Sequence, residues 1–221
     1  PARPQLDARI ASYELASRMQ LAASDALDLS QETAEIQRRY GIDQQVTESY
    51  GRRCLITRRL VERGARFVQL FINSQILGHT QQHRQAFKDA CDRTDKPIAA
   101  LREDLSQRGL LDETLVIRSG AIGRLPIAQL PSGLDLKKAG RNRNAICTWF
   151  ADGGTKAGIT HGATDELGFS AVENKVSVLD WHATLLHLLG LHHKELFIER
   201  NGLNERLTGG LPARVLSEIL A

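Results

Sequence analysis

Apolar positions recur every three to four residues through the first quarter of the chain, then give way to short continuous apolar runs. Leu6, Ile10, Tyr13 and Ala16 form one stripe of a 3.6-residue period and predict a helix over residues 6–24. Ser30 is placed to cap a second helix, which Gly41 stops near Tyr40. A third helix is expected over residues 46–63, with Gly64 positioned to end it in a left-handed conformation. Residues 67–72, Phe-Val-Gln-Leu-Phe-Ile, are short, apolar and β-prone and read as a buried strand. Residues 81–108 carry Phe87, Cys91, Ile98, Leu101 and Leu105 along one helical face. Pro97 should divide that helix and Gly109 end it. Strands are expected at 115–119 and 146–150, an exposed polar loop at 132–144, and helices at 178–189 and 212–220.

Strand, long helix and strand over residues 67–119 imply a right-handed βαβ crossover and therefore parallel pairing. The expected fold class is α/β, a parallel-sheet core with flanking helices. It reads as a single domain over residues 1–221, with a helical lead-in at 1–64 and a βαβ-containing core at 65–221. Three helices before the first strand fit a chain that joins a sheet begun elsewhere.

Composition narrows the function classes. A chain of 221 residues can bury roughly 70% of its unfolded surface, enough for a substantial core. With 29 Lys and Arg against 26 Asp and Glu, the balance is too even to point to nucleic acid. Arg52-Arg53 and Arg58-Arg59 lie within a predicted helix and read as solvated faces. No apolar run approaches the ~20 residues that span a bilayer, and the start, Pro1-Ala2-Arg3-Pro4, does not have the form of a signal peptide. Cys54, Cys91 and Cys147 lack metal-binding spacing, and their odd number argues against a disulfide framework, so buried free thiols are expected.

The segment most informative about chemistry is 148–190. It contains Thr-Trp-Phe-Ala-Asp-Gly-Gly, then Thr164-Asp165-Glu166, then Asp180-Trp181-His182 opening a Leu-rich helix. Together with Gly120-Ala121-Ile122-Gly123-Arg124 and Gly140-Arg141-Asn142-Arg143, it resembles the C-terminal part of the exported bacterial sulfatase-like proteins of the alkaline phosphatase superfamily. The resemblance implies that metal ligands should stand near residues 76–79, at 121, at 142–143 and at 182. Here Leu77, Ala121 and Asn142 replace carboxylates, and Arg143 puts a positive charge where a cation would sit. His79 and His182 alone keep a ligand type, and Arg124 and Arg143 become candidate anion-binding groups.

Hydrolysis by divalent metals needs several carboxylates and histidines converging on one or two ions. The expectation is therefore a degenerate sulfatase-like domain acting as a non-catalytic scaffold or subunit of a larger assembly, without a cofactor. The alternative is a metal-dependent hydrolase of sulfuric or phosphoric esters, using a divalent metal such as Zn or Ca. The expected partner is another protein chain or the N-terminal half that the resemblance implies. The resemblance also implies an exported or periplasmic location. Plainer readings stand beside these. His79 and His83 can be a solvated helix cap, and His182 a structural hydrogen-bonding group. Arg124 can be half of an ion pair, and Asp165 and Glu166 can fix a loop. His187, His192 and His193 flank a helix end, where the dipole favours cations. Ser119 is explained by turn chemistry, and the spacing of Gly153, Gly154 and Gly158 matches no phosphate-binding loop.

Overall fold

A computed structural model describes residues 3–72, 83–128 and 139–221, and the chain divides into two compact units, residues 1–110 and 111–221. The first unit is helical: α1 (Arg3–Leu27), α2 (Ala34–Arg39), α3 (Glu48–Glu62) and α4 (His83–Gln107). A 3-10 turn at Leu29–Gln31 precedes α2, and Thr33 caps α2 by accepting from the Ile36 N–H at 3.2 Å. The cap is thus Thr33 rather than Ser30. Gly41 and Gly64 follow α2 and α3 in the left-handed region, at φ of 68° and 83°, where a side chain would be strained. The apolar stripe expected on α1 is exposed: Leu6, Ile10 and Tyr13 face solvent.

The core of this unit gathers Ala26, Leu29, Tyr40, Cys54, Leu55, Leu101 and Leu105. Gly51 lets α3 approach the Tyr40 carbonyl, because any Cβ there would collide with that oxygen. Pro97 lies inside α4 without dividing it and is fully buried. A proline costs a helix interior about 3 kcal/mol in isolation, and burial of the ring offsets part of that. Cys54 is buried, which pushes its thiol up to about 12, whereas Cys147 is exposed, contrary to expectation.

The larger departure is electrostatic. Arg58 and Arg59 do not form a solvated face: they are 2% and 5% exposed. Arg58 meets Glu32 at 2.7 Å, Glu62 at 2.7 Å and Asp104 at 3.1 Å. Its Nη1 donates along the N–H axis to Glu62, while the Glu32 and Asp104 contacts are ion pairs off that axis. Arg59 donates to Glu32 at 2.5 Å and to the carbonyls of Ala26 and Asp25, which close the end of α1. Asp104 also accepts from the Tyr40 hydroxyl at 2.9 Å and from Arg108 at 2.8 Å. Four segments of the unit are tied through two guanidinium groups.

The second unit corrects the fold class. Its strands are β1 (Val116–Ser119), β2 (Gly123–Ala128), β3 (Ala139–Asn142), β4 (Thr148–Ala151), β5 (Ala163–Thr164), β6 (Ala171–Glu173), β7 (Phe197–Arg200) and β8 (Leu203–Arg206), with α5 (Val178–Leu188) between β6 and β7. They pair as β1 with β4, β2 with β3, β5 with β6 and β7 with β8, every pair antiparallel. Among the described residues there is no parallel pair, so the expected α/β fold with a parallel-sheet core does not form. Residues 67–72 are not a strand. They carry exposed Phe67 and Phe71, and the Phe71 carbonyl is held by Arg53 at 2.7 Å. An apolar, β-prone run becomes a strand only where a ladder partner takes up its backbone groups. The strand expected to supply one, β1, lies in the second unit and pairs antiparallel with β4, Val116 opposite Ala151 and Ser119 opposite Thr148.

Two further elements differ. Part of the expected loop at 132–144 is β3, with Gly123 opposite Asn142. The expected helix at 212–220 is an irregular segment with one 3-10 turn, Ser217–Ile219. Two of its N–H groups are taken by other elements, Arg214 by Asp180 and Leu216 by Thr184, and the following Ala221 N–H donates to the Gly154 carbonyl. The β7–β8 hairpin was not anticipated. Asn201 and Gly202 form its two-residue turn, both with positive φ, at 53° and 75°.

Replacing Arg58 with alanine should destabilise the helical unit by about 3–5 kcal/mol, because Asp104 and Glu32 would stay buried with less compensation. Urea unfolding followed by far-UV circular dichroism checks this. A loss under about 1 kcal/mol, the range of exposed pairs, would show that the cluster is solvated.

Candidate functional site

The N-terminus of α5 is the most connected polar site of the second unit. Ser177 and Asp180 form a reciprocal cap: the Asp180 N–H donates to Ser177 Oγ at 3.0 Å, and Asp180 Oδ2 accepts from the Ser177 N–H at 2.9 Å. Asp180 Oδ1 accepts from the Arg214 N–H at 2.8 Å. One turn later, the Thr184 hydroxyl donates to the Asp180 carbonyl and accepts from the Leu216 N–H at 3.0 Å. One face of α5 thereby holds the C-terminal segment. Partial burial raises the Asp180 carboxyl, but the Arg214 N–H and the Ser177 groups outweigh it and hold the carboxyl below its ordinary value.

His182 lies on this turn and is exposed. Its Nδ1 donates to the Val178 carbonyl at 2.8 Å. The ring meets Trp181 edge-on at 4.9 Å, and Trp181 stacks on Phe150 of β4 at 6.4 Å. The other histidine with a proposed ligand role, His79, lies outside the described residues, as does Leu77. Arg124 on β2 and Arg143 just after β3 are both exposed. The β2–β3 ladder brings their two segments side by side, with Arg124 opposite Arg141 in register.

Asn142 is buried and structural. Its amide donates to the Gly168 and Phe169 carbonyls, and its Oδ1 accepts from the Asn144 N–H at 2.9 Å. Asp165 holds the same loop from inside, accepting from the N–H groups of Leu167, Phe169 and Ser170. Those backbone donors, Phe169 foremost, keep its carboxyl below the ordinary range. Asp165 therefore fixes a loop, and Asn142 closes the loop from the outside. Ser119 shares a hydroxyl contact of 3.0 Å with Thr148 across the β1–β4 ladder.

An open cleft of about 320 Å³ is lined by Asp112, Glu113, Gly153, Gly154, His187 and Leu188. Gly153 is required there. Its φ is 56°, and a Cβ would run into the Leu115 backbone. His192 stacks on buried His193 with ring centroids 5.6 Å apart. Among the described residues, no three His, Cys, Asp or Glu side chains converge as a metal-binding group. No helix of the described residues is long and apolar enough to cross a membrane.

The architecture is thus that of a two-unit protein, helical first and antiparallel after. Over residues 1–220 it matches the family described as "Protein of unknown function (DUF1501)", and the chain belongs to that family. No curated protein and no solved structure matches it. The family match corrects the resemblance drawn from the motifs, since no sulfatase or alkaline phosphatase superfamily match accompanies it.

The clamp residues Asp180 and Thr184 were partly legible. Ser177 followed three residues later by Asp180 before an apolar run is a capping signature. Nothing in the sequence links Asp180 to Arg214. Replacing Asp180 with asparagine should cost about 1 kcal/mol, the range of a helix cap, measured by thermal unfolding at neutral pH. Because the folded carboxyl is depressed, its stabilisation is complete above the ordinary carboxylate range, about pH 4. It is lost as pH falls through the depressed value. The variant should therefore lose this part of the acid dependence, and an unchanged pH profile would show that the clamp carries no stability.

Proposed function

We propose that this chain is a non-catalytic scaffold or subunit that works by packing against another protein chain. The observation that carries the reading is the β7–β8 hairpin. All eight of its strand residues are exposed, Phe197, Ile198 and Leu203 among them, and the neighbouring Leu207 and Leu211 are exposed as well. A two-stranded hairpin alone is marginally stable in water. Strand edges that carry unsatisfied N–H and C=O groups invite pairing. Covering an exposed Leu, Ile or Phe contributes about 1.5–3 kcal/mol each, so a partner seated here has a driving force.

Local charge supports a protein partner over a nucleic acid. The hairpin carries Glu199 and Glu205 against Arg200 and Arg206, an even balance with apolar residues between. Arg206 already lies over the Phe197 ring at 5.7 Å, which satisfies part of its charge locally. A binding surface of this kind should cover more than roughly 1,000 Å² in total.

Two measurements test the reading. The isolated chain should self-associate in sedimentation velocity at micromolar concentration or bind a hydrophobic dye. Ile198→Lys with Leu203→Lys should reduce whichever is seen. A monomer that binds no dye would sink the docking role. Metal analysis of protein purified without chelators should show well under one ion of zinc, calcium or manganese per chain. Stoichiometric metal would overturn the non-catalytic reading.

A further inference from the structure

We propose that the helical unit, residues 1–110, opens in acid ahead of residues 111–221, released when the carboxylates that enclose Arg58 and Arg59 take up protons. The geometry is a charge-balanced cage. The end of α1 supplies Asp25, the turn after it Glu32, α2 and the residue after it Arg39 and the Tyr40 hydroxyl, α3 and the residue after it Arg58, Arg59, Glu62 and Arg63, and α4 with the residue after it Glu103, Asp104 and Arg108. Five arginines face five carboxylates. In acid the five positive charges remain and their partners become neutral. Arg58 and Arg59 sit at the centre of the cage, with side chains 3% and 6% exposed. A buried cation without a counter-charge costs several kcal/mol, a large share of the stability of a small domain.

The direction of the pH dependence follows from the two most enclosed carboxylates. Burial raises both Glu32 and Asp104. Arg59 and Arg58 around Glu32, and Arg108 and Tyr40 around Asp104, more than reverse it and hold both carboxyls below the ordinary range. A depressed carboxyl contributes stability that is complete above its unfolded pKa and lost as pH falls through the folded one. Opening is therefore expected below about pH 4 and should be steep, because at least two protons are taken up together.

The second unit lacks this construction among its described residues. Its depressed carboxyls, Asp165, Asp180 and Glu218, accept from backbone N–H groups in a loop, a helix cap and a turn. Protonating them loosens a local structure and strands no buried arginine. Among the described residues of this unit, the one buried ionisable side chain is His193.

The chain carries its own reporters. All three tyrosines, Tyr13, Tyr40 and Tyr50, lie in the helical unit, and both tryptophans, Trp149 and Trp181, lie in the other. Tyr40 is 1% exposed, so opening transfers it to water. The full chain is titrated from neutral pH downward, with tyrosine exposure followed by second-derivative absorbance and tryptophan by emission wavelength. The tyrosine transition should come first, below about pH 4. Asp104→Asn should shift it to higher pH and leave the tryptophan transition in place, while Asp180→Asn should do the reverse. Coincident transitions, or a tyrosine signal unchanged down to pH 2, would overturn the proposal. A tryptophan change at the higher pH would also overturn it, because the second unit would then open first. If Asp104→Asn does not fold, the order of the two transitions in the unmodified chain still decides.

Discussion

The helical unit depends on the burial of Arg58. A guanidinium group taken out of water must find compensation on several sides, and here Glu32, Glu62 and Asp104 supply it from three segments. Such a cluster adds little net stability compared with a well-packed apolar core, because desolvation consumes most of the Coulomb gain. Its consequence is selectivity. A shift of α4 along α3 by one turn would separate Asp104 from Arg58 and from the Tyr40 hydroxyl together. The apolar part of this core is largely Ala26, Leu29, Leu55, Leu101 and Leu105, whose contacts are non-directional, whereas the charged contacts are specific to these partners.

The second unit solves a different problem. Its ladders are short and two-stranded, so many backbone groups must be satisfied outside a sheet. Side chains do this. Asn142 and Asp165 take up the carbonyls and N–H groups of the 165–170 loop, and Asp180 and Thr184 take up those of the C-terminal segment. Backbone contacts complete the closure, with Lys156 donating to the Ile219 carbonyl at 2.8 Å. The residues of the motifs that carried the resemblance thus include two kinds. Asn142 and Asp165 are buried or bonded into loops. Arg124, Arg143 and His182 point to solvent. The hairpin β7–β8 has no such closure, and that contrast is why it stands out as a surface for another chain.

Much of the local structure was legible. Helix periodicity located α1, α3, α4 and α5 to within a few residues, and Gly64 stands in the left-handed conformation its position implied, as do Gly41 and Gly109, which were read only as helix ends. These features depend on residues close in sequence: a stripe of apolar side chains, a capping oxygen, a missing Cβ. The Asn201-Gly202 turn belongs to the same class, since its two positive φ angles are a property of those residue types.

Pairing and burial were decided by tertiary structure. An apolar run such as 67–72 states only that it would form a strand if a ladder partner were offered, and in the fold β1 pairs with β4. Arg58-Arg59 on a helix states two charges, and whether they face water depends on Glu32 and Asp104, which stand 26 residues before and 46 residues after Arg58. At 212–220, where a helix was expected, the Arg214 and Leu216 N–H groups meet Asp180 and Thr184, two side chains more than thirty residues earlier in the chain. Residue type and spacing determined the local conformations of this protein. Which donor met which acceptor across the chain was a competition among distant partners, and only the folded arrangement settled it.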